Sequence, residues 1–459
     1  MMKMKMKMTM NMTLKSLPAA LGLLLALQAE PALAIDLAGA YRQALANDPA
    51  SLAADQALAA GREKAVQGDA VLRPRVSLQA GVSRLHQQAG DLAPPASQFL
   101  PESSTGTTYQ ASVQMVQPVY DRGAAAGRQQ LHEQSALAQI QFTAARQELA
   151  LRVAQAYFGV LVAEETLRVA QAELAAMRQQ HERAQARFAV GQDRITEVHE
   201  AQARLDAVGT REVSARSTLA LRRAQFRETT GADPDGLVPL AASFVPQPPQ
   251  PAALADWEAR GERDSTLVQA RQSESAIAKA ELSRHRLTSR PTLDLVASYG
   301  ARQARGGLSP IVAPDGERSS AIGLMLNVPL YAGGALDSRQ REAAASLGQA
   351  DLQLAAARRD VRLKVLEGYL AVTTGVSRIA AQEQALASAR SALDATTRGR
   401  DVGTRTALDV LDAQQRLFAA ELELVEGRAD YLLGRLRLAL AAGELDEESL
   451  RALRPWLAR

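Results

Sequence analysis

The chain has 459 residues, is 47% hydrophobic but only 4% aromatic, and carries a formal net charge of +3. With Ala, Leu, Gln, Arg and Glu dominating long stretches, such usage favours long helices packed through small side chains over a thick globular core. There is no cysteine, which excludes a disulfide staple, a Cys-ligated zinc site and a thioether lipid anchor.

Residues 1–34 hold Lys3, Lys5, Lys7 and Lys15 against Glu30, and this segment accounts for the whole positive charge. An apolar run from Leu17 to Leu27 and the small-x-small pattern Ala32-Leu33-Ala34 complete a secretory signal peptide. The run falls short of the roughly 18–20 apolar residues that span a membrane as a helix. Beyond it the charge is near zero, which argues against nucleic acid as a partner. No later apolar run is long enough for a spanning helix either, leaving a soluble exported protein or a β-barrel, whose signal per strand is weaker.

Next, a helix is predicted from Asp36 to Gly68. Two alternating segments follow. Val76, Leu78, Ala80 and Val82 interleave with small or polar residues, as do Tyr109, Ala111, Val113 and Met115. A proline-free helical stretch runs from Gly123 to Ala189, Gly191 marks a turn, and a second helix returns to about Thr229. At 1.5 Å per residue, a helix of about 65 residues is a rod on the order of 100 Å. The prolines between Leu237 and Pro251 read as a linker.

The pattern then repeats. A helix is predicted over Ala253–Arg286, followed by alternating Leu293, Leu295, Ala297 and Tyr299, and by Ile322, Leu324, Leu326 and Val328. A second proline-free stretch spans Gly334 to Gly399, Gly403 turns the chain, and a helix returns to about Ala442. Val190-Gly191 recurs as Val402-Gly403, and Arg204-Leu205 as Arg416-Leu417, both at an offset of 212 (403 − 191; 416 − 204). Tyr157 answers Tyr369 at the same offset (369 − 157). A period near two hundred is far above the about 20–50 residues of a solenoid repeat, so one large unit is built twice. The expected division is a signal peptide at 1–34, a first repeat at 35–236 with a β-hairpin at 75–118, and a linker at 237–251. A second repeat at 252–443 with a hairpin at 292–329 follows, then a C-terminal tail at 444–459.

Each alternating segment suits a strand between lipid and a watery lumen. Four strands cannot close a barrel in hydrocarbon, because two edges stay unpaired. Two copies supply eight strands and three supply twelve; the strands alone leave the copy number open.

The stretch Gly403-Thr404-Arg405-Thr406-Ala407-Leu408-Asp409-Val410-Leu411-Asp412-Ala413, with its degenerate partner Gly191 to Val198, resembles the TolC family of outer-membrane efflux proteins. So do Pro118-Val119-Tyr120-Asp121 and the Pro-Leu-Tyr-Ala-Gly-Gly run from Pro329 to Gly334. The resemblance covers essentially all of the chain after residue 34. It implies a mostly α fold with a small β part: a long α-helical coiled-coil barrel across the periplasm, plus four strands per chain in a twelve-stranded trimeric transmembrane β-barrel. It also implies a homotrimer in outer-membrane lipid that docks, through a periplasmic adaptor, on an inner-membrane ABC or proton-driven transporter. The intact Gly-Thr-Arg-Thr block and the missing lipid-accepting Cys resemble the type I secretion branch. A multidrug efflux duct is the alternative. A periplasmic coiled-coil adaptor fits less well, since it would carry one helical hairpin flanked by soluble β-domains.

Asp409 and Asp412 lie at i, i+3 and share a helix face. Glu197 and Glu200 occupy the matching positions (409 − 197 = 212; 412 − 200 = 212). Under threefold symmetry these make stacked acidic rings that favour cations; alternatively, acids in a first turn complement the helix dipole. The resemblance puts Asp409 and Asp412 at the family's closed periplasmic entrance. It matches Arg405, Thr196 and Glu197 to positions whose cross-links hold that entrance shut, with Glu197 in place of an Asp and Arg400 in place of a Tyr. It makes Pro118, Tyr120, Pro329, Tyr331, Gly333 and Gly334 the barrel-to-tunnel junctions. No P-loop, zinc-protease helix or nucleophile elbow is present, and His86, His132, His181, His199 and His285 lack metal-ligand spacing. No catalytic residue, metal or cofactor is expected, so energy must come from a partner.

Overall fold

A computed structural model describes residues 35–88, 103–192, 194–241, 243–306 and 316–458. The expected signal peptide and most of both strand-to-strand connections lie outside the described residues. Helices α1 (Leu37–Asn47) and α2 (Pro49–Ala70) lead into strands β1 (Arg75–Gln88) and β2 (Ser103–Tyr120), followed by α3 (Arg122–Ala189) and α4 (Ile195–Thr230). The second half gives α5 (Leu254–Asp264), α6 (Thr266–Leu287), β3 (Thr292–Gly306), β4 (Gly316–Asn327), α7 (Ala335–Asp401) and α8 (Ala407–Ala441). A short α9 (Glu447–Arg451) closes the chain. Among the described residues, no helix is long and apolar enough to cross a membrane.

Each helix predicted ahead of a hairpin is two helices. Between α1 and α2, Asp48 is extended, and its carboxylate accepts from the Ser51 N–H at 3.0 Å to cap α2. Pro49 at the first helical position disfavours helical geometry in the residue before it. The second break, at extended Ser265, has no proline or side-chain cap to announce it. Ser265 is buried there, so packing rather than local sequence sets the kink.

The two rods are α3, with 68 residues, and α7, with 67, each about 100 Å long. Near the strands α3 lies between α2 and α6, and α6 lies against α7. Farther away α3 packs on α4 and α8, and α8 on α7. The protomer is therefore a layer four helices wide at both levels. A small residue brings α7 and α8 together: Gly368 lets the α8 backbone at Leu438 approach to contact distance.

Midway along the rods sits the main core, with Leu149, Val153, Tyr157, Phe158, Phe226, Phe244, Tyr431, Leu432 and Trp456 buried in it. The duplication is physically explicit here. Tyr157 donates its hydroxyl to the Ile35 carbonyl at 3.1 Å, just ahead of α1, and Tyr369 donates to the Ala252 carbonyl at 2.6 Å, just ahead of α5. The 237–251 segment is not a loose tether. Phe244 is buried, the Trp456 indole donates to the Val245 carbonyl, and Tyr431 exchanges hydrogen bonds with the backbone of Gln247. Arg454 pairs with Asp36 at 2.7 Å, tying the C-terminal tail to the start of α1.

The four strands form one antiparallel sheet in the order β1-β2-β3-β4. Their register superposes the alternating patterns. Val76, Leu78 and Val82 face Met115, Val113 and Tyr109 across β1 and β2, while Leu295 and Ala297 face Leu324 and Ile322 across β3 and β4. Because Val113 pairs with Tyr299, both apolar sets fall on one face of the sheet. That face is exposed in the single chain, with Leu78 and Ile322 among its most accessible residues, as a lipid-facing wall would be.

The hairpins do not end at the expected bounds of 118 and 329. β2 passes through Pro118 to Tyr120, and the register against β3 shifts between those two residues. A bulge tolerates the missing N–H without ending the strand. β4 stops at Asn327, two residues before Pro329.

Candidate functional site

At the strand end of the rods the two junctions are built differently. Tyr120 leads directly to Asp121, whose carboxylate accepts from the Ala124 N–H at 2.8 Å and caps α3. Past Pro329 the chain leaves regular structure, and Gly333 (φ 59°) and Gly334 (φ 81°) turn it into α7 without a side-chain cap. Leu330 and Tyr331 are 93% and 90% exposed. Two large side chains so bare make an exposed patch just beyond the end of β4.

At the other end lie two matched turns. Gly191 (φ 74°) and Gly403 (φ 81°) take the left-handed position that ends α3 and α7. Gln192 N–H reaches the Arg187 carbonyl at 2.9 Å, and Thr404 N–H reaches that of Gly399 at 2.8 Å, the same C-terminal motif twice.

The helices that follow differ. Thr406 and Asp409 form a reciprocal capping box on α8: the Asp409 N–H donates to the Thr406 hydroxyl at 3.2 Å, and the Thr406 N–H donates to the Asp409 carboxylate at 2.8 Å. At the matching position (406 − 194 = 212) α4 has Arg194, which gives no side-chain cap. The Thr406 N–H and hydroxyl, then the Arg405 and Arg416 charges, hold the Asp409 carboxyl below its ordinary range. Its cap is therefore complete above that range and is lost as pH falls through the lowered value.

Asp412 is used otherwise. It accepts from Arg204 of α4 at 2.7 Å, and Arg204 also lies 3.8 Å from Glu200. In the rods, Arg400 near the end of α7 donates to the buried Gln180 of α3 at 2.8 Å. These two contacts fasten the first repeat's hairpin of helices to the second's. Glu197, Glu200, Gln180 and Thr406 line a cavity of about 190 Å³ between them, floored by Leu408 and Leu411. Arg405 and Thr196 stay exposed at the tips, and among the described residues neither forms an ion pair or a side-chain hydrogen bond to the other. The sequence pattern marked Arg204 only as part of the repeat and Gln180 not at all: each gains its role from a partner more than two hundred positions away.

A sheet with one bare apolar face and two free edges, carried on paired rods about 100 Å long with charged tips, defines one protomer of a membrane channel with a helical tunnel. The outer membrane efflux protein model matches residues 40–232 and 258–444, once per repeat. The outer membrane protein TolC of Vibrio cholerae is 33% identical over 416 residues, covering 90% of this chain and 92% of that protein. The alkaline protease secretion protein AprF of Pseudomonas aeruginosa is 29% identical over 431 residues, covering 94% and 89%. The crystal structure of the outer membrane protein VceC from Vibrio cholerae shares the fold, with a TM-score of 0.73, 20% identity, and 89% and 96% of the two chains covered. The chain belongs to the outer membrane efflux protein family. It is an outer-membrane channel with a periplasmic tunnel, and not an enzyme.

Proposed function

We propose that three copies of the chain close a twelve-stranded barrel and a twelve-helix tunnel, and that this duct completes a type I secretion route for a polypeptide. The open β1 and β4 edges support the assembly. Four strands per copy is an even number, so strand direction keeps alternating across every seam. In the trimer the exposed Arg405 of one copy meets Thr196 and Glu197 of its neighbour. Asp409, Asp412 and Glu200 then ring the narrowed entrance, and Pro118, Tyr120, Pro329, Tyr331, Gly333 and Gly334 form the barrel-to-tunnel collar. A periplasmic adaptor grips the rods and joins them to an inner-membrane ABC transporter, which supplies the energy.

The observation that carries the cargo reading is the likeness to AprF, a protein named for protease secretion, over 94% of this chain. Deleting the gene tests it. The expected result is loss of one or more secreted polypeptides from the medium with drug tolerance unchanged. Drug hypersensitivity with an intact set of secreted proteins would assign the duct to efflux instead.

A further inference from the structure

Above the apolar band, the lipid-facing side of the sheet changes character. The parity that places Val82, Tyr109 and Tyr299 outward also places Arg84, Arg305 and Arg318 outward, near the strand ends farthest from the helices. Arg84 and Arg305 flank the same residue, Thr107, one from each side. Arg318 stands on β4 opposite Ala301. All three are exposed. Arg305 lies over the Tyr109 ring at 5.8 Å, at the aromatic level where hydrocarbon gives way to headgroups.

The opposite face treats charge differently. There Arg302 sits directly across from Glu317, and Asp294 lies lower on the same side. Among the described strand residues, no carboxylate shares the outward face with the three arginines. Among the described strand residues both carboxylates fall on the lumenal face, and the charges on the outward face are all cationic.

We propose that Arg84, Arg305 and Arg318 bind the phosphates of lipid headgroups in the outer leaflet. The inference rests on the membrane-barrel reading, since only a closed barrel turns this face to lipid. The chemistry is charge complementarity: guanidinium groups match phosphate with paired N–H donors, and a rim facing water alone would gain nothing by excluding acids. At the bilayer edge the long side chains reach up to the headgroups while their stems cover apolar surface. A trimer carries the patch three times around the barrel.

The test uses the purified full-length trimer in detergent, with native mass spectrometry to count bound lipid. Bis-phosphorylated lipid A and the same lipid stripped of both phosphates are the probes. Expected is a clear preference of the wild-type trimer for the phosphorylated form. The combined Arg84→Gln, Arg305→Gln and Arg318→Gln variant should lose retention on the order of a hundredfold, as removal of three basic groups from an anionic surface predicts. The lumenal Arg302→Gln variant should retain lipid as wild type does. Both variants must migrate as trimers and conduct in planar bilayers, so a failure of the barrel reading itself would show separately. Equal retention of both lipids, or full retention by a conducting triple variant, would overturn the proposal. Displacement of the lipid by inorganic phosphate at equal concentration would do so too, since it would mean a free-anion site.

Discussion

Replacing Tyr157 by Ala is expected to destabilise the protein by about 3–5 kcal/mol, the usual cost of emptying a large aromatic site in a core. The ring is fully buried, edge-on to Phe158 at 5.7 Å and to Phe226 at 6.3 Å. Its hydroxyl donates toward the carbonyls of Ile35 and Val238, so truncation also strips a partner from the segments entering and leaving the first repeat. Tyr157→Phe keeps the packing and loses only the polar contact, a change of about 1–2 kcal/mol. Tyr369→Phe should cost less again, because that hydroxyl makes its single bond to Ala252 in an exposed setting. Denaturant midpoints of the detergent-solubilised protein should follow that order. Equal midpoints for the two Tyr→Phe variants would show that the first repeat's tyrosine has no special structural weight.

The second large effect concerns the tunnel tips. Arg204→Ala combined with Arg400→Ala is expected to raise single-channel conductance severalfold in planar bilayers. Each contact is modest alone: the Arg204–Asp412 pair is partly exposed, and such pairs contribute about 0.2–1 kcal/mol. They matter through geometry, because they are polar links between α4 and α8 and between α7 and α3 at this end, beside the small apolar cluster of Met177, Val208 and Leu411. In a trimer each is broken three times at once, and the helical hairpins are freed to spread. Arg405→Ala should add to the opening if its partners lie on the neighbouring copy. A double variant with wild-type conductance would show that the links within each protomer do not hold the entrance narrow.

Much of this architecture can be read from residue patterns with a local cause. Alternation of Leu78 with Ser77 and Gln79, or of Ile322 with Ala321 and Gly323, fixes which face is apolar, and the observed register superposes those faces. Absence of proline between Gly123 and Ala189 is enough to predict a rod, because nothing else in the stretch breaks the backbone ladder. The features that local sequence does not announce depend on distant partners. Ser265 kinks a helix because its surroundings are buried, not because its neighbours disfavour helix. The proline cluster after Leu237 looks like a linker, yet Phe244 and the backbone of Gln247 are fixed by Tyr431 and Trp456 from the far end of the chain. At the tips, the spacing of Asp409 and Asp412 marked both residues. It could not reveal that one completes a cap while the other binds Arg204.

Whether neighbouring copies complete the wall is tested most directly by cross-linking across a seam. The chain has no cysteine of its own, so any disulfide comes only from introduced pairs, one on β1 and one on β4. Within one protomer these edge strands are separated by three strand spacings of about 4.8 Å, beyond the about 7 Å limit between the Cα atoms of a disulfide. A panel placing one cysteine among Val76 to Val82 and the other among Ile322 to Leu326 should give, on oxidation in outer membranes, covalent dimers and trimers that resist boiling in detergent and collapse on reduction. Monomer alone at every register in the panel would contradict the account.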